Sequence, residues 1–289
     1  MVVTGANPPC GTDAAIHQTV SALMARARAA QGIYECYGQE QVDEVVTAAG
    51  WSLVHPQHNR QLAELAVADT GLGNVADKIT KNRRKTMGLL RDLQGAKSVG
   101  VIADYPDRGI TEIARPVGVV AAITPSTNPV ATAANMIINA LKGRNAVILA
   151  PSPKGYGSAA RLLDFVQAEL ARVSAPPDIV QMLPPPVSKE STAELMQQAD
   201  LVVVTGSQSN VRAAYASGTP AIGVGVGNVA VIVDDTAELA QAAMKIAASK
   251  PFDYATSCSS ENSLVILDAV YAAMLEALKQ QGGALLSGA

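Results

Sequence analysis

The amino-acid sequence predicts a three-layer α/β fold, in which a helical N-terminal region precedes a parallel sheet. From about Val99 onward, short runs rich in Val, Ile and Leu alternate with Ala-rich helical stretches, which is typical of βαβ units on a buried sheet. Before that point the sequence contains helical patterns and no convincing strand. Of the 289 residues 48% are hydrophobic and only 3% aromatic, so we expect an ordered chain with an aliphatic core.

The N-terminal region is predicted to form successive helices. The first repeats its apolar residues at helical spacing after Asp13, the predicted N-cap. Two further helical patterns cover residues 57–69 and 75–93, and the basic run at 81–85 is interpreted as the solvated face of the second one. Residues 13–30 could instead be a docking tag for a partner, but packing of a first helix on its own domain explains the same pattern.

The second part of the chain is predicted to form the parallel sheet. Such a sheet binds ligands outside the carboxyl ends of its strands, so we expect the chemistry in the loops after Ile123 and Val204. The predicted strands cover residues 117–123, 146–149, 179–183, 201–204, 229–233 and 264–267. The predicted helices cover residues 129–141, 158–172, 189–198, 210–217, 237–250 and 269–279.

Charge and cysteine usage exclude several functional classes. The stretches 116–141 and 213–233 carry no charged residue, but Pro and Gly interrupt them, so we expect buried strands and turns there and no membrane span. The net charge of −3 and the scarcity of aromatic rings argue against nucleic-acid binding. Cys10, Cys36 and Cys258 fit neither a metal-ligand nor a disulfide pattern, and the N-terminus lacks signal-peptide features. We therefore expect a cytoplasmic protein without a metal.

Cys258 is a candidate nucleophile. It lies in a polar segment of small hydroxyl residues, 252–262, between a predicted helix and a predicted strand. A lone cysteine is more often inert, and a thiol with an ordinary pKa of ~8.5 needs a nearby positive charge or helix end to react. The Gly-rich run 223–228 begins like a dinucleotide fingerprint, but Asn228 replaces the last glycine, so alone it indicates a tight turn.

Asn128 is a second candidate, in the segment 124–129 between a predicted strand and a helix. One interpretation is a Pro-rich turn in which Asn128 caps the helix and Pro129 takes its first position. The other is that the Asn128 amide points to the carboxyl edge of the sheet and donates to a developing oxyanion. The local pattern leaves both open.

Several short motifs follow one another along nearly the whole chain. They lie at residues 68–73 with 77–78, and at 115–120, 123–129, 141–145, 204–207, 213–218, 225–229 and around Cys258. In this order they resemble the aldehyde dehydrogenase superfamily and, within it, the CoA-acylating branch of acetaldehyde and sulfoacetaldehyde dehydrogenases. The ordered set is far more specific than any single motif.

This resemblance implies a mechanism and a set of site residues. Cys258 would attack a small aldehyde to form a thiohemiacetal, and Asn128 with the Cys258 backbone N–H would form the oxyanion hole. Hydride would then pass to NAD or NADP, leaving a thioester on Cys258. Ser207, at the head of a helix, would meet the cofactor pyrophosphate. The implied cofactor-binding residues are Thr124, Pro125, Ser126, Ser152, Lys154, Gly206, Ser207, Gly225 and Gly227.

Departures from the superfamily pattern refine these expectations. Hydrolytic members carry a glutamate in the Gly-rich turn, but residues 223–227 contain no ionisable group, which favours coenzyme A as the acyl acceptor over water. The segment 150–154 has no acid to take a ribose 2′-hydroxyl, so the choice between NAD and NADP stays open. The aldehyde is not identified either.

The position of the nucleophile predicts a partial enzyme. Cys258 lies 31 residues before the last residue, because 289 − 258 = 31, whereas family members continue well past their nucleophile. We therefore expect a C-terminally truncated chain. Its residues 1–250 would form the helical region and the NAD(P)-binding domain, and residues 251–289 would begin a second, catalytic α/β domain. The resemblance also suggests a homo-oligomer, a dimer or higher.

Two other interpretations stay open. One is an enzyme of the hydrolytic semialdehyde dehydrogenase class or a phosphate-dependent relative such as glutamyl-phosphate reductase; the missing base weakens the hydrolytic form. The other is a catalytically incomplete nucleotide-binding module or partner subunit. Product formation with and without coenzyme A distinguishes the hydrolytic enzyme from the acylating one. Cofactor binding without turnover would favour the nucleotide-binding module.

Overall fold

The computed structural model describes residues 11–286, with side chains from residue 14 onward, so Cys10 lies outside the described residues. The helices are α1 (Gly11–Tyr34), α2 (Gln39–Val54), α3 (Pro56–Thr70), α4 (Val75–Leu93), α5 (Pro129–Lys142), α6 (Tyr156–Arg172), α7 (Lys189–Gln198), α8 (Gln208–Ala216), α9 (Leu239–Ser249) and α10 (Asp268–Gln280). The strands are β1 (Gly100–Tyr105), β2 (Ile110–Ala114), β3 (Val119–Thr124), β4 (Ala146–Pro151), β5 (Val180–Met182), β6 (Leu201–Thr205), β7 (Ala221–Val224), β8 (Val229–Val233) and β9 (Glu261–Ile266).

The central sheet has five parallel strands in the order β5-β4-β3-β6-β7. Helices α5 and α6 pack on one face, beneath an outer layer of α2, α3 and α4, and α1, α7 and α8 pack on the other face. The predicted α/β fold class is therefore confirmed. Because the strand order reverses between β3 and β6, a crevice opens at the carboxyl ends of these two strands.

Strands β3 and β4 form the centre of the hydrophobic core. All six residues of each strand are buried, as expected for a parallel sheet that helices cover on both faces. Aliphatic side chains of the covering helices, such as Ile137 of α5 and Leu162 of α6, are fully buried with Leu149 of β4 in the same core. Full burial of one such side chain stabilises the fold by about 1.5–3 kcal/mol.

Polar side chains fix the start of β3. The Asn145 amide oxygen accepts hydrogen bonds from the backbone N–H groups of Val117 at 2.7 Å and Gly118 at 3.1 Å. Gly118 has a φ of 122°, and a Cβ there would collide with the Asp200 carboxylate. That carboxylate accepts from the N–H of Val119 at 2.8 Å. Asn145 and Asp200 therefore hold the central strand in place.

Helix α1 packs on the chain's own sheet. It begins at Gly11, so Asp13, the predicted N-cap, lies inside the helix instead of at its start. The helix contacts β3, β4 and α7, and its last residue, Tyr34, is fully buried. The Tyr34 hydroxyl donates to the carbonyl of Leu141 at 2.9 Å, and burial raises the pKa of this hydroxyl above its ordinary value. This packing accounts for the apolar pattern of residues 13–30.

Several elements differ from the sequence-based expectations. Residues 100–114 form an antiparallel hairpin of β1 and β2, and residues 221–224 form the edge strand β7 where a turn was expected. Strand β8 was expected in the central sheet but pairs with β9 in a separate parallel sheet. The expectation of burial for 213–233 was also wrong, because alternate residues of β7 and β8 face outward and Val226 is 79% exposed.

The buried side chains form two hydrophobic clusters. The large one holds the central sheet and its helices, and the small one centres on Val233, Ala243 and Met274 of β8, α9 and α10. The small cluster joins residues from both sides of position 250, so a domain boundary at that position stays a prediction. Within residues 11–286, no helix is long and apolar enough to cross a membrane.

Candidate active site

A cleft of about 1200 Å³ lies at the carboxyl ends of β3, β4 and β6. It also reaches the cleft-facing side of α5, the start of α7, the Gly-rich loop after β7 and the segment before β9. Most of the residues that the sequence nominated line this cleft: Asn128, Cys258, Thr124, Pro125, Ser126, Ser152, Gly206, Ser207, Gly225 and Gly227. Lys154 does not line it and lies exposed in a short 3₁₀ turn at 153–155.

Asn128 occupies the N-cap position of α5, but its side chain makes no capping hydrogen bond. Its backbone carbonyl accepts from the N–H of Thr132 at 3.2 Å, so the helix starts without help from the amide. The Asn128 Oδ1 atom is buried and has no hydrogen-bond partner among the described residues. The side chain is therefore held at the cleft without a structural use, which favours the functional interpretation over the capping one.

Two further buried oxygens along the cleft lack a partner in the described part of the chain. They are Oγ1 of Thr124, the last residue of β3, and Oδ1 of Asn135 on α5. Buried polar atoms are nearly always hydrogen-bonded, and an unpaired one costs about 1–3 kcal/mol. Three such atoms lie along one cleft, where ordered water or, after side-chain rotation, a polar ligand completes their hydrogen bonds.

Cys258 lies in the loop that leads into β9, and its side chain is exposed. The Gly-rich loop packs directly on this segment: a Cβ added to Gly227 would lie 3.0 Å from the Cys258 carbonyl oxygen. The side-chain amide of Asn262 donates to the Gly227 carbonyl at 3.3 Å. Gly227 is therefore needed for close approach of the two loops, and a side chain there would displace the nucleophile candidate.

A buried carboxylate anchors the segment before Cys258 to α4. Asp253 is fully buried, and its carboxylate accepts from the backbone N–H of Asn74 at 3.1 Å and from Thr256 Oγ1 at 2.7 Å. It also accepts from Lys78 Nζ at 3.1 Å and from Lys81 Nζ. Burial raises the pKa of Asp253, but hydrogen bonds from Lys81 and Thr256 and both lysine charges outweigh it, so the pKa lies below its ordinary value.

This anchor corrects one expectation and explains an unusual backbone. The run 81–85 was interpreted as a solvated helix face, but Lys81 and Asn82 are both 3% exposed. Lys81 faces inward to pair with Asp253, and Asn82 donates to Asn59 Oδ1 on α3 at 3.0 Å. The three residues from Asp253 to Ala255 all have φ near 50–57°, a conformation that non-glycine residues rarely adopt. The buried ion cluster therefore holds a strained turn three residues before Cys258.

The loop after β6 fits a pyrophosphate. Ser207 is the N-cap of α8, and its hydroxyl accepts from the Asn210 N–H at 3.3 Å. Gly206 has a φ of 152° and brings the backbone close to Pro125, where a side chain would narrow the cleft. Ser209 and Asn210 of the first turn of α8 also line the cleft, and the N-terminus of a helix suits an anionic group. These features fit the nicotinamide dinucleotide that the sequence implied.

The cleft carries positive charge. Lys85 of α4 and Lys189 of α7 are the charged side chains that line it, and no carboxylate does so among the described residues. None of His17, His55 and His58 lines it either. Sequence reasoning missed Lys85 and Lys189, and it missed the polar stripe on α5. The spacing of that stripe, at i, i+4, i+7 and i+11, could have revealed it: Asn128, Thr132, Asn135 and Asn139.

Comparisons with known proteins identify the family. The sequence profile of the aldehyde dehydrogenase family matches residues 7–288. A sulfoacetaldehyde dehydrogenase (acylating) of Cupriavidus necator is 66% identical over 270 residues, covering 93% of this chain and 55% of that protein. The solved acetylating aldehyde dehydrogenase of Geobacillus thermoglucosidasius superposes with a TM-score of 0.89 at 35% identity, covering 96% of this chain and 62% of that one.

A more distant structure adds a ligand. The propionaldehyde dehydrogenase of Rhodopseudomonas palustris, solved with bound propionyl-CoA, has a TM-score of 0.80 and 28% identity, covering 90% of this chain and 57% of that one. The chain thus spans about half the length of the curated relative it matches. The family profile covers nearly all of it, and the motifs at 123–129, 204–207, 225–229 and around Cys258 contribute residues to one cleft. The chain belongs to the aldehyde dehydrogenase family.

Proposed function

We propose that the protein oxidises a small aldehyde, of the acetaldehyde or sulfoacetaldehyde kind, to an acyl-CoA with NAD(P)+ and coenzyme A. The observation that carries the proposal is the exposed Cys258 thiol in the same cleft as the Asn128 amide, which the helix start does not use. The name of the Cupriavidus necator relative supports both the acylating reaction and a sulfonated aldehyde.

Cys258 supplies the nucleophile in this proposal. Its thiolate adds to the aldehyde carbon and forms a thiohemiacetal, and negative charge develops on the former carbonyl oxygen. The Asn128 side-chain N–H and the Cys258 backbone N–H donate to that oxygen. One such donor is typically worth ~10²–10³ in rate.

The cofactor side of the cleft is assigned to NAD or NADP. When bound, NAD(P)+ supplies the hydride acceptor for the oxidation, and Cys258 then carries the acyl group as a thioester. Because Ser152 lines the cleft with no acidic neighbour in 150–154, the site accommodates a ribose hydroxyl or a 2′-phosphate. The residues we propose to hold the cofactor are Thr124, Pro125, Ser126, Ser152, Gly206, Ser207, Gly225 and Gly227, all of which line the cleft; Lys154, which does not, stays a prediction from the sequence.

Release of the acyl group from Cys258 requires a second nucleophile. Water would need a general base, and no carboxylate lines the cleft among residues 11–286. A thiol is a good nucleophile without such a base, which makes coenzyme A the acceptor that we propose. The propionyl-CoA bound to the Rhodopseudomonas palustris relative supports this choice.

The test is formation of reduced nicotinamide from acetaldehyde and sulfoacetaldehyde, with NAD or NADP and with or without coenzyme A. Cys258→Ala should abolish turnover, whereas Cys36→Ala, which changes the other free cysteine of the described residues, should leave it near the parent value. Turnover without coenzyme A would transfer the protein to the hydrolytic class. Cofactor binding without any turnover would favour a nucleotide-binding module.

The organisation of the whole protein is part of the same proposal. We infer two units, residues 1–250 with the cofactor site and residues 251–289 as the beginning of a catalytic unit, in a cytoplasmic homo-oligomer. The separate small cluster around Met274 supports a second unit, although it also includes Val233 and Ala243, so the boundary at 250 rests on the sequence pattern alone. Light scattering of the purified protein measures the oligomer, and a monomer at all concentrations would contradict it.

A further inference from the structure

We propose that Lys85 binds the negatively charged end of the aldehyde, so that the site selects short aldehydes carrying a sulfonate or carboxylate. This inference rests on the proposed function and adds the substrate class. It starts from one face of α4, where Lys78, Lys81 and Lys85 follow one another at i, i+3 and i+7. The first two are buried on Asp253, five residues before Cys258.

Lys85 lies one turn beyond this ion cluster and has a different environment. It is half-buried and lines the cleft, and it makes no ion pair or hydrogen bond with any described residue. Lys81, one turn before it, is ion-paired with Asp253, whereas no carboxylate among the described residues lines the cleft to pair with Lys85. A half-buried ammonium group without a counterion is positioned to attract an anion from solution.

The neighbours of Lys85 also suit an anionic oxygen group. Helix α4 packs on α5, whose polar stripe places Asn135 and Asn139 along the same cleft. Asn135 has a buried Oδ1 atom with no partner among the described residues, so no Oδ1 hydrogen bond opposes a flip of the amide that would turn its N–H groups toward a ligand. Amide donors beside an ammonium group bind sulfonate or carboxylate oxygens by charge-assisted hydrogen bonds.

The second lysine of the cleft serves as an internal comparison. Lys189 begins α7, which packs on the opposite face of the central sheet from α5. Lys85 belongs to the layer that holds α4 and the Cys258 segment, because α4 contacts the 3₁₀ turn at 252–255. The substrate end of the cleft is therefore assigned to Lys85 and not to Lys189.

The experiment measures the effect of the Lys85 charge on the reactivity of Cys258 and does not depend on turnover. Cys258 is labelled with two methanethiosulfonate reagents of equal length, the anionic 2-sulfonatoethyl form and the neutral 2-hydroxyethyl form. Peptide mass spectrometry gives the rate at each cysteine, with the exposed Cys36 as reference in the same sample. We expect the anionic-to-neutral rate ratio at Cys258 to exceed that at Cys36. If the sulfonate of the reagent contacts the Lys85 ammonium group at about 4 Å, their attraction raises the labelling rate roughly fivefold even in water.

Variants assign the effect to one side chain. Lys85→Met should lower the ratio at Cys258 about fivefold, and Lys85→Arg should keep most of it. The matched control is Arg84→Met, which removes an equal charge from the exposed side of α4 and should leave the ratio unchanged. If circular dichroism shows that Lys85→Met is unfolded, Lys85→Gln takes its place, and its labelling ratio is compared with those of Lys85→Arg and the parent.

A ratio unaffected by loss of the Lys85 charge, or lowered equally by Arg84→Met, would overturn the inference. Where turnover is measured, Lys85→Met should lower the kcat/KM for sulfoacetaldehyde relative to acetaldehyde by a similar factor. Comparing the kcat/KM for succinic semialdehyde with that for sulfoacetaldehyde shows whether the site prefers a carboxylate or a sulfonate. If the parent protein shows no turnover but keeps the raised labelling ratio at Cys258, the proposed reaction is contradicted and the anion site is supported.

Discussion

The two parallel sheets of this molecule are built in opposite ways. In the central sheet every residue of β3 and β4 is buried, and helices cover both faces. In the sheet of β8 and β9, exposed and half-buried residues alternate, Ile232 is 76% exposed, and the hydrophobic cluster beneath is small. Both sheets present short aliphatic strands in the sequence, so strand composition alone does not reveal how much a strand buries.

The difference shows where the rigidity of the candidate site comes from. Asn128 follows β3 and takes its position from the packed core, whereas Cys258 enters the sparsely packed sheet through β9. The Cys258 segment is held chiefly by polar contacts to α4 and to the Gly-rich loop. One half of the proposed oxyanion hole thus rests on apolar packing and the other half on a buried ion cluster.

The sharpest way to break this comparison is to remove the ion cluster. Asp253→Ala leaves Lys78 and Lys81 buried without a counterion, and removal of one partner of a buried ion pair costs about 3–5 kcal/mol. Chemical denaturation should show this loss in the free energy of unfolding. Cys258 should also be alkylated faster, and by neutral and anionic reagents at more similar rates. Replacing both lysines with Met as well should recover part of the stability, and a triple variant no better than Asp253→Ala would contradict this account.

The same variant gives a pH dependence with a defined sign. Asp253 has a lowered pKa in the folded protein, so its contribution is fully present above the ordinary carboxyl value of ~3.9 and disappears as the pH falls through the lower folded value. The stability difference between parent and Asp253→Ala should therefore shrink as the pH falls below about 4. A difference that grew in that range would be inconsistent with a charged Asp253.

Loss of packing in the central sheet should have the next largest effect. Leu149→Ala removes a fully buried side chain from β4, and such changes cost about 2–5 kcal/mol through lost transfer energy and the cavity left behind. Denaturant unfolding measures it, and Cys258 labelling in the folded variant should stay near the parent rate. A large change in labelling would mean that the core and the nucleophile segment are coupled more closely than their contacts suggest.

The junction between α1 and α5 is expected to respond more weakly. Tyr34→Phe keeps the buried ring and removes the hydroxyl that donates to the Leu141 carbonyl. The Leu141 carbonyl keeps its hydrogen bond from the Arg144 N–H at 2.9 Å, so we expect a loss of about 0.5–1.5 kcal/mol, which thermal unfolding would report as a lower Tm. Tyr37→Phe is the control, because its hydroxyl donates to the Ser174 carbonyl at an exposed position; it should have the smaller effect.

The smallest effect is expected on the open face of the second sheet. Ile232→Thr replaces an exposed β-branched side chain by another, and exposed substitutions usually stay within about 0.5 kcal/mol. An unchanged denaturation midpoint would fit, whereas a loss as large as that of Leu149→Ala would mean that this face is buried in solution.

Much of the fold can be predicted from local patterns in the sequence, and the predictions that were wrong have physical causes. Helix periodicity and aliphatic runs predicted the strands β3 to β6 and the helices around them, because these segments bury one face or both. The pairing of β8 with β9 could not be predicted, since it depends on a partner about thirty residues away. Gly223 concealed the edge strand β7, because glycine indicates turns far more often than strands.

The candidate site shows the same limit. Asn128 and Cys258 carry recognisable motifs and line one cleft, as expected from strand ends in a parallel sheet. The burial of Lys81 could not be foreseen, because a basic run on a helix is normally solvated and its counterion lies 172 residues further along the chain. A charge becomes interpretable only when the groups that neutralise it are known, which is why Lys85 was also missed.

The long separation between α4 and Asp253 has a consequence for synthesis on the ribosome. The central sheet and its helices emerge and can collapse well before Asp253, 175 residues after Lys78, leaves the exit tunnel. Until then both lysines must stay hydrated, since burying them without a counterion is unfavourable. The nascent protein would thus complete its framework first and fix the segment that carries its reactive thiol afterwards.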